Sequence, residues 1–144
     1  MSEGIAPKNI QLMQHATDWE NAIRLAARPL VAHKSIEPAY VDKMVESVHK
    51  LGPYIVIMQG LALAHSAPCP EVLHSDLSLA TLAEPVEFHC KNDPVSVVMC
   101  LACTDSTSHI ARLQSIAGRL MEPGIVERMV ACRSPEELSS LLQA

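Results

Sequence analysis

Aromatic side chains are scarce in this sequence, at 3% of residues, with one Trp, two Tyr and one Phe. That leaves too few ring faces for a base-stacking platform. Positive charge is also short: 11 Lys and Arg face 16 Asp and Glu, for a net charge of -5. Phosphate-backbone affinity comes from clustered Lys and Arg, so a general nucleic-acid binder is excluded. No apolar run approaches the roughly 18–20 residues that span a bilayer. The opening "MSEGIAPKNIQLM" lacks the charged-then-apolar layout of a signal peptide. The expectation is a cytoplasmic protein with no direct membrane insertion. Five cysteines (Cys69, Cys90, Cys100, Cys103, Cys132) are odd in number and widely spread, which favours reduced thiols over a disulfide framework.

What is present is a globular composition, 49% hydrophobic and 19% charged over 144 residues. That length suits one domain with its own core, and no linker or repeat divides it, so residues 1–144 read as a single domain. "IQLM" at 10–13 reads as a first strand. "TDWE" at 17–20 matches a capping box, followed by Trp19, Ile23, Ala26 and Leu30 on one helical face, with Pro29 set to kink or end that helix. A second helix opens at "EPAY" with Pro38 in its first turn. Its stripe is Val41, Met44, Val45, Val48 and Leu51, and Gly52-Pro53 stops it. "YIVIM" (54–58), "LSLATL" (77–82), "VEF" (86–88) and "VSVVMCLAC" (95–103) read as strands, the last the most strongly buried. A loop, "TDSTS", then leads into the helix "HIARLQSIAGRLM". Two short helices close the chain, "GIVERMV" and "SPEELSSLL", the latter capped by Ser134. The fold expected is α/β: a three-layer α/β/α sandwich with a mixed sheet flanked by helices on both faces.

Two histidines stand out. His65 lies in "MQGLALAHSAPCPEV", among small residues and just after Gly60, beyond a predicted strand. An imidazole there can exchange a proton, bind a metal or act as a nucleophile. His109 lies where "TDSTS" turns into a helix, and helix N-termini attract anions. The plainer readings are a partly buried loop histidine and a surface histidine. Cys100-x-x-Cys103 has the look of a metal or redox pair. On a strand, however, residues three apart face opposite ways, so core packing is the better account. A zinc site from His65, Cys69 and His109 or another cysteine lacks a second close-spaced ligand pair. No phosphate-binding Gly-rich loop and no GxSxG elbow occurs.

Taken together, "LGPYIVIMQGLALAH", "SLATLAEPVEF", "NDPVSVVMCLACTDSTSH" and "ACRSPEELSSLL" resemble the IIA component of the sugar phosphotransferase system. The resemblance is to the mannitol/fructose-type superfamily, closest to its ascorbate-type branch, and it runs from about residue 17 to the end. It implies that the histidine a few residues after Gly60, namely His65, is phosphorylated. It implies that the histidine of the D-x-x-x-H turn, His109, supports it, with Asp105, Ser66 and Gly60 at the binding site. The implied partners are the histidine phosphocarrier protein as donor and a cysteine of a IIB component as acceptor, with a functional link to a membrane IIC transporter. A homodimer is compatible, and neither cofactor nor metal is required. The sequence departs from the family's pattern at a few positions. Ala64 precedes His65 where Pro is usual, and Ala67 stands where ascorbate-type members often carry Arg. Ser47 and His49 occupy the helix region where mannitol-type members place Arg, leaving His49 and Lys50 as replacements. These departures keep open a second reading, a regulatory IIA-like module that signals through His65 phosphorylation.

Overall fold

The computed structural model describes residues 5–105, 107, 114, 116 and 118–142. A mixed five-stranded sheet forms its middle layer. The chain enters through β1 (Ile10–Gln14), crosses α1 (Trp19–Ala32) and α2 (Pro38–Leu51), and returns as β2 (Val56–Met58) and β3 (Leu61–Ala64). β4 (Asp76–Val86) and β5 (Val95–Ala102) follow. Positions 107, 114, 116 and 118–120 are helical. The chain closes with α3 (Ile125–Ala131) and α4 (Pro135–Leu142). The spatial order is β1-β4-β5-β3-β2. β1 runs parallel to β4 and β3 parallel to β5, while β4–β5 and β2–β3 are antiparallel.

Strand alternation divides the core into two layers. One sheet face offers small side chains, including Ala62, Ala64, Ala80, Cys100 and Ala102, to α1 and α2. α1 answers with Ala22, Ala26 and Ala27, so helix and sheet approach closely. The other face offers Leu61, Leu63, Leu79, Met99 and Leu101 to Ile116, Leu120 and the closing helices. Helices on both faces of a mixed sheet make the three-layer α/β/α architecture that the sequence pattern predicts. Cys100 and Cys103 fall into opposite layers, as strand alternation requires.

Local chemistry explains the helix ends. Asp18, not Thr17, caps α1, accepting the Asn21 N–H at 2.8 Å, while Asn21 Oδ1 accepts the Thr17 N–H. The cap therefore lies one residue later than predicted, and the reciprocal bond reaches Thr17, the residue before it, rather than the cap's own N–H as a capping box would. Pro29 neither ends nor stops α1, which runs on to Ala32. Proline removes the N–H that would reach the Leu25 carbonyl, and Gln11 Nε2 donates to that carbonyl instead. α2 carries Pro38 in its first turn and ends at Gly52, at φ 86°. Leu51, predicted in its buried stripe, is 72% exposed; it is the last residue of the helix, and the buried stripe stops at Val48.

The strand readings need three corrections. "YIVIM" is not one buried strand: only Val56–Met58 pair, as the short edge strand β2. "LALA" at 61–64, read as part of a loop, is β3, buried at every residue. "VEF" is not a separate strand, since β4 continues without a break to Val86. Among the described residues no helix is long and apolar enough to cross a membrane.

Candidate functional site

The parallel pairing of β3 with β5, with Ala64 opposite Cys100, brings the residues after both strands to one edge of the sheet. β4 starts at this edge, since Asp76 pairs with Ala102. His65 and Ser66 follow β3 here, and Thr104 and Asp105 follow β5. The same topology puts Gly60 at the far end of β3, about 16 Å away at roughly 3.3 Å per residue. Gly60 builds a turn there, with φ 84°, its N–H on the Asn92 carbonyl and its own carbonyl on the N–H groups of Ser96 and Val97. His109 lies outside the described residues.

The His65 ring is half-buried, and its Nδ1 lies 2.8 Å from the Leu63 carbonyl. A carbonyl oxygen only accepts, so Nδ1 carries the proton, and the neutral ring has its lone pair on Nε2. The ring is not bare. Tyr54, just before β2, packs against it with centroids 5.5 Å apart and planes at 87°, and the Tyr54 hydroxyl lies 3.5 Å from the His65 carbonyl. The small neighbours Ala62 and Ala64 do not open the site. They are buried beneath the helices, where anything larger would push the layers apart.

The loop after His65 is pinned at several points. The Tyr40 hydroxyl, fully buried, accepts the Ser66 N–H at 3.1 Å and lies within donating distance of the Ser66 and Leu101 carbonyls. Burial raises its pKa well above the usual phenol value, so it stays protonated. Lys43 Nζ meets Glu71 at 2.8 Å. The Lys43–Glu71 hydrogen bond raises the lysine pKa and lowers that of the carboxyl, so both stay charged. The N–H groups of Leu73 and His74 reach the Ser35 carbonyl. Ser75 Oγ accepts the Thr104 N–H at 2.9 Å, tying this loop to the one that carries Asp105.

A groove of about 430 Å³ opens beside Ser66, lined by Asp42, Lys43, Glu46, Ser47 and Lys50. Lys50 lines this groove, 3.8 Å from Glu46, whereas His49 points elsewhere, bonding Glu20 at 2.7 Å and packing on Trp19. Among the described residues no three His, Cys, Asp or Glu side chains converge to hold a metal. The residues that sequence reasoning missed are Tyr40, Tyr54 and Lys43. The available signal was scarcity: the chain has two tyrosines, and both lie against the His65 segment.

An imidazole at a strand end, with one nitrogen anchored to backbone, suits reversible group transfer. The sequence profile of the phosphoenolpyruvate-dependent sugar phosphotransferase system EIIA 2 family matches residues 4–144. The chain belongs to that family. The ascorbate-specific EIIA component of Escherichia coli K12 is 34% identical over 137 residues, covering 94% of this chain and 89% of that protein. The solution structure of the E. coli mannitol-specific cryptic enzyme IIA CmtB superposes with a TM-score of 0.87 at 26% identity, covering 99% and 98% of the two chains. An E. coli mannitol IIA solved in complex with phosphorylated IIB superposes at 0.83 with 27% identity, covering 96% of each chain.

Proposed function

We propose that this EIIA chain is a phosphoryl carrier that takes the group on His65 from the histidine phosphocarrier protein and hands it to a cysteine of a IIB component. The observation that carries the reading is the Nδ1–Leu63 hydrogen bond, which fixes the tautomer with its lone pair on Nε2. As the Nε2–P bond forms, the N–P bond to the donor imidazole breaks. The His65 ring gains positive charge, and the Leu63 carbonyl holds the Nδ1 proton and steadies that charge. In the second step a IIB thiolate attacks phosphorus, an S–P bond forms and the Nε2–P bond breaks, returning the neutral ring. Transfer passes through a loose transition state, so positioning matters more than covalent help. His109 takes the supporting role that the resemblance implies, and Asp105, at the same edge as His65, is a binding residue. The likeness to an ascorbate-specific relative supports ascorbate or a related sugar as the pathway. The regulatory alternative gains if no cation stands near His65; Lys43 and Lys50 line the groove beside Ser66, but each is paired there with a carboxylate, Glu71 and Glu46.

The test mixes the purified chain with enzyme I, the histidine phosphocarrier protein and phosphoenolpyruvate. One acid-labile, base-stable phosphoryl group mapped to His65 is expected. No label, with the donors active on a control IIA protein, would overturn the carrier reading in favour of regulation.

A further inference from the structure

We propose that Tyr54 is a positioning residue for the His65 imidazole, acting through its ring rather than its hydroxyl; the inference rests on the carrier reading. Two torsions set an imidazole. The Leu63 carbonyl, 2.8 Å from Nδ1, constrains one ring atom, and one such bond does not by itself set both torsions. The second constraint comes from Tyr54, which meets the imidazole edge-to-face at 5.5 Å and 87°, a favoured aromatic geometry. Antiparallel pairing of β2 with β3 sets this contact: Leu63 N donates to the Ile55 carbonyl at 2.8 Å, which fixes Tyr54 one residue earlier beside the β3 terminus. The hydroxyl, at 3.5 Å from the His65 carbonyl, sits at the limit of a hydrogen bond and adds little. Tyr54 keeps 41% of its surface exposed despite its size. A side chain chosen for core packing alone would be buried; this one is held over the imidazole.

The experiment compares Tyr54→Leu and Tyr54→Phe with the unaltered chain, using two phosphoryl donors. One is the histidine phosphocarrier protein; the other is phosphoramidate, too small to depend on a docking surface. A misplaced reacting ring loses rate with any donor, so Tyr54→Leu is expected to slow labelling about tenfold with both. Tyr54→Phe should stay within about twofold of the unaltered chain, since the ring contact survives. Nitrogen-15 spectra of His65 should show the Nδ1–H tautomer losing share in Tyr54→Leu and not in Tyr54→Phe. Denaturant midpoints confirm that each variant is folded. Slowing with the protein donor alone would overturn the proposal and make Tyr54 a partner contact, and unchanged rates with an unchanged tautomer would overturn it outright. If the unaltered chain takes no label from either donor, the carrier reading fails. The tautomer shift then decides by itself whether Tyr54 orders the ring.

Discussion

The buried hydroxyl of Tyr40 accepts the backbone N–H of Ser66 at 3.1 Å, so a helix residue 26 positions earlier holds the peptide that follows the candidate carrier histidine. The same oxygen lies 3.1 Å from the Ser66 carbonyl and 3.2 Å from that of Leu101, which links the ends of β3 and β5. Tyr40→Phe keeps the ring in the core and strands these backbone groups. Leaving a buried donor unpaired costs about 1–3 kcal/mol, so the urea midpoint should fall by that equivalent. Labelling of His65 should slow in the same variant, because Ser66 then moves relative to the ring. A midpoint and rate both equal to the unaltered chain would remove Tyr40 from the site's support.

His65→Ala tests the carrier assignment without confounding stability. The ring is half-buried at a strand terminus, where it packs on the partly exposed Tyr54 rather than in the interior. Its removal should leave the midpoint within about 1 kcal/mol of the unaltered chain and abolish phosphoryl acceptance. A folded His65→Ala chain that still takes one phosphoryl group would place the carrier elsewhere. His109→Ala should slow transfer without abolishing acceptance, and an unchanged rate would remove His109 from the mechanism.

The elements legible in the sequence are those whose burial pattern has a single explanation. β5 was clear because eight apolar or small residues in a row fit a strand buried on both faces. α1 and α2 showed their 3.6-residue stripes, and the sandwich followed from their order around the strands. β3 was missed because "LALA" is too short to show a period, and its alanines mimic a loop. Only the tertiary fact that α1 presses on that face explains them. "VEF" misled because β-branched and aromatic content marks a strand locally, whereas β4 was already complete upstream. The place of His65 just beyond a strand was legible. Tyr54, Tyr40 and Lys43 were not, because each reaches the site through a strand pairing or helix packing that no local pattern encodes. His49 and Lys50 are neighbours in sequence but diverge around the helix, so only Lys50 meets the groove.

Gly60 separates a folding role from a binding role. Its φ of 84° lies where residues with a side chain are strained, and a Cβ there would sit 3.2 Å from Val126 Cγ1. Gly60→Ala should therefore lower stability by about 1–3 kcal/mol. It lies at the strand end opposite His65, so the folded fraction should accept a phosphoryl group at the normal rate. A stable variant with a slowed rate would instead return Gly60 to the site.

Alkaline pH should unfold this chain through groups far from its surface. Burial pushes the Cys100 thiol up to about 12 from an ordinary value of 9.0, and burial likewise raises Tyr40 from 10.0. Both are neutral acids whose charged forms the core rejects. In the unfolded chain they ionise at their ordinary values, so above pH 9 the unfolded state binds fewer protons than the native one. Stability then falls as pH rises, by about 1 kcal/mol per pH unit for each group whose unfolded form has ionised. The contribution is complete below pH 9 and is lost on the way to the folded values. Urea midpoints measured from pH 8 to 11 should decline, and Cys100→Ala should shallow that decline even though it creates a small cavity and lowers the midpoint at pH 8. An equally steep decline in Cys100→Ala would show that the thiol does not drive the alkaline loss.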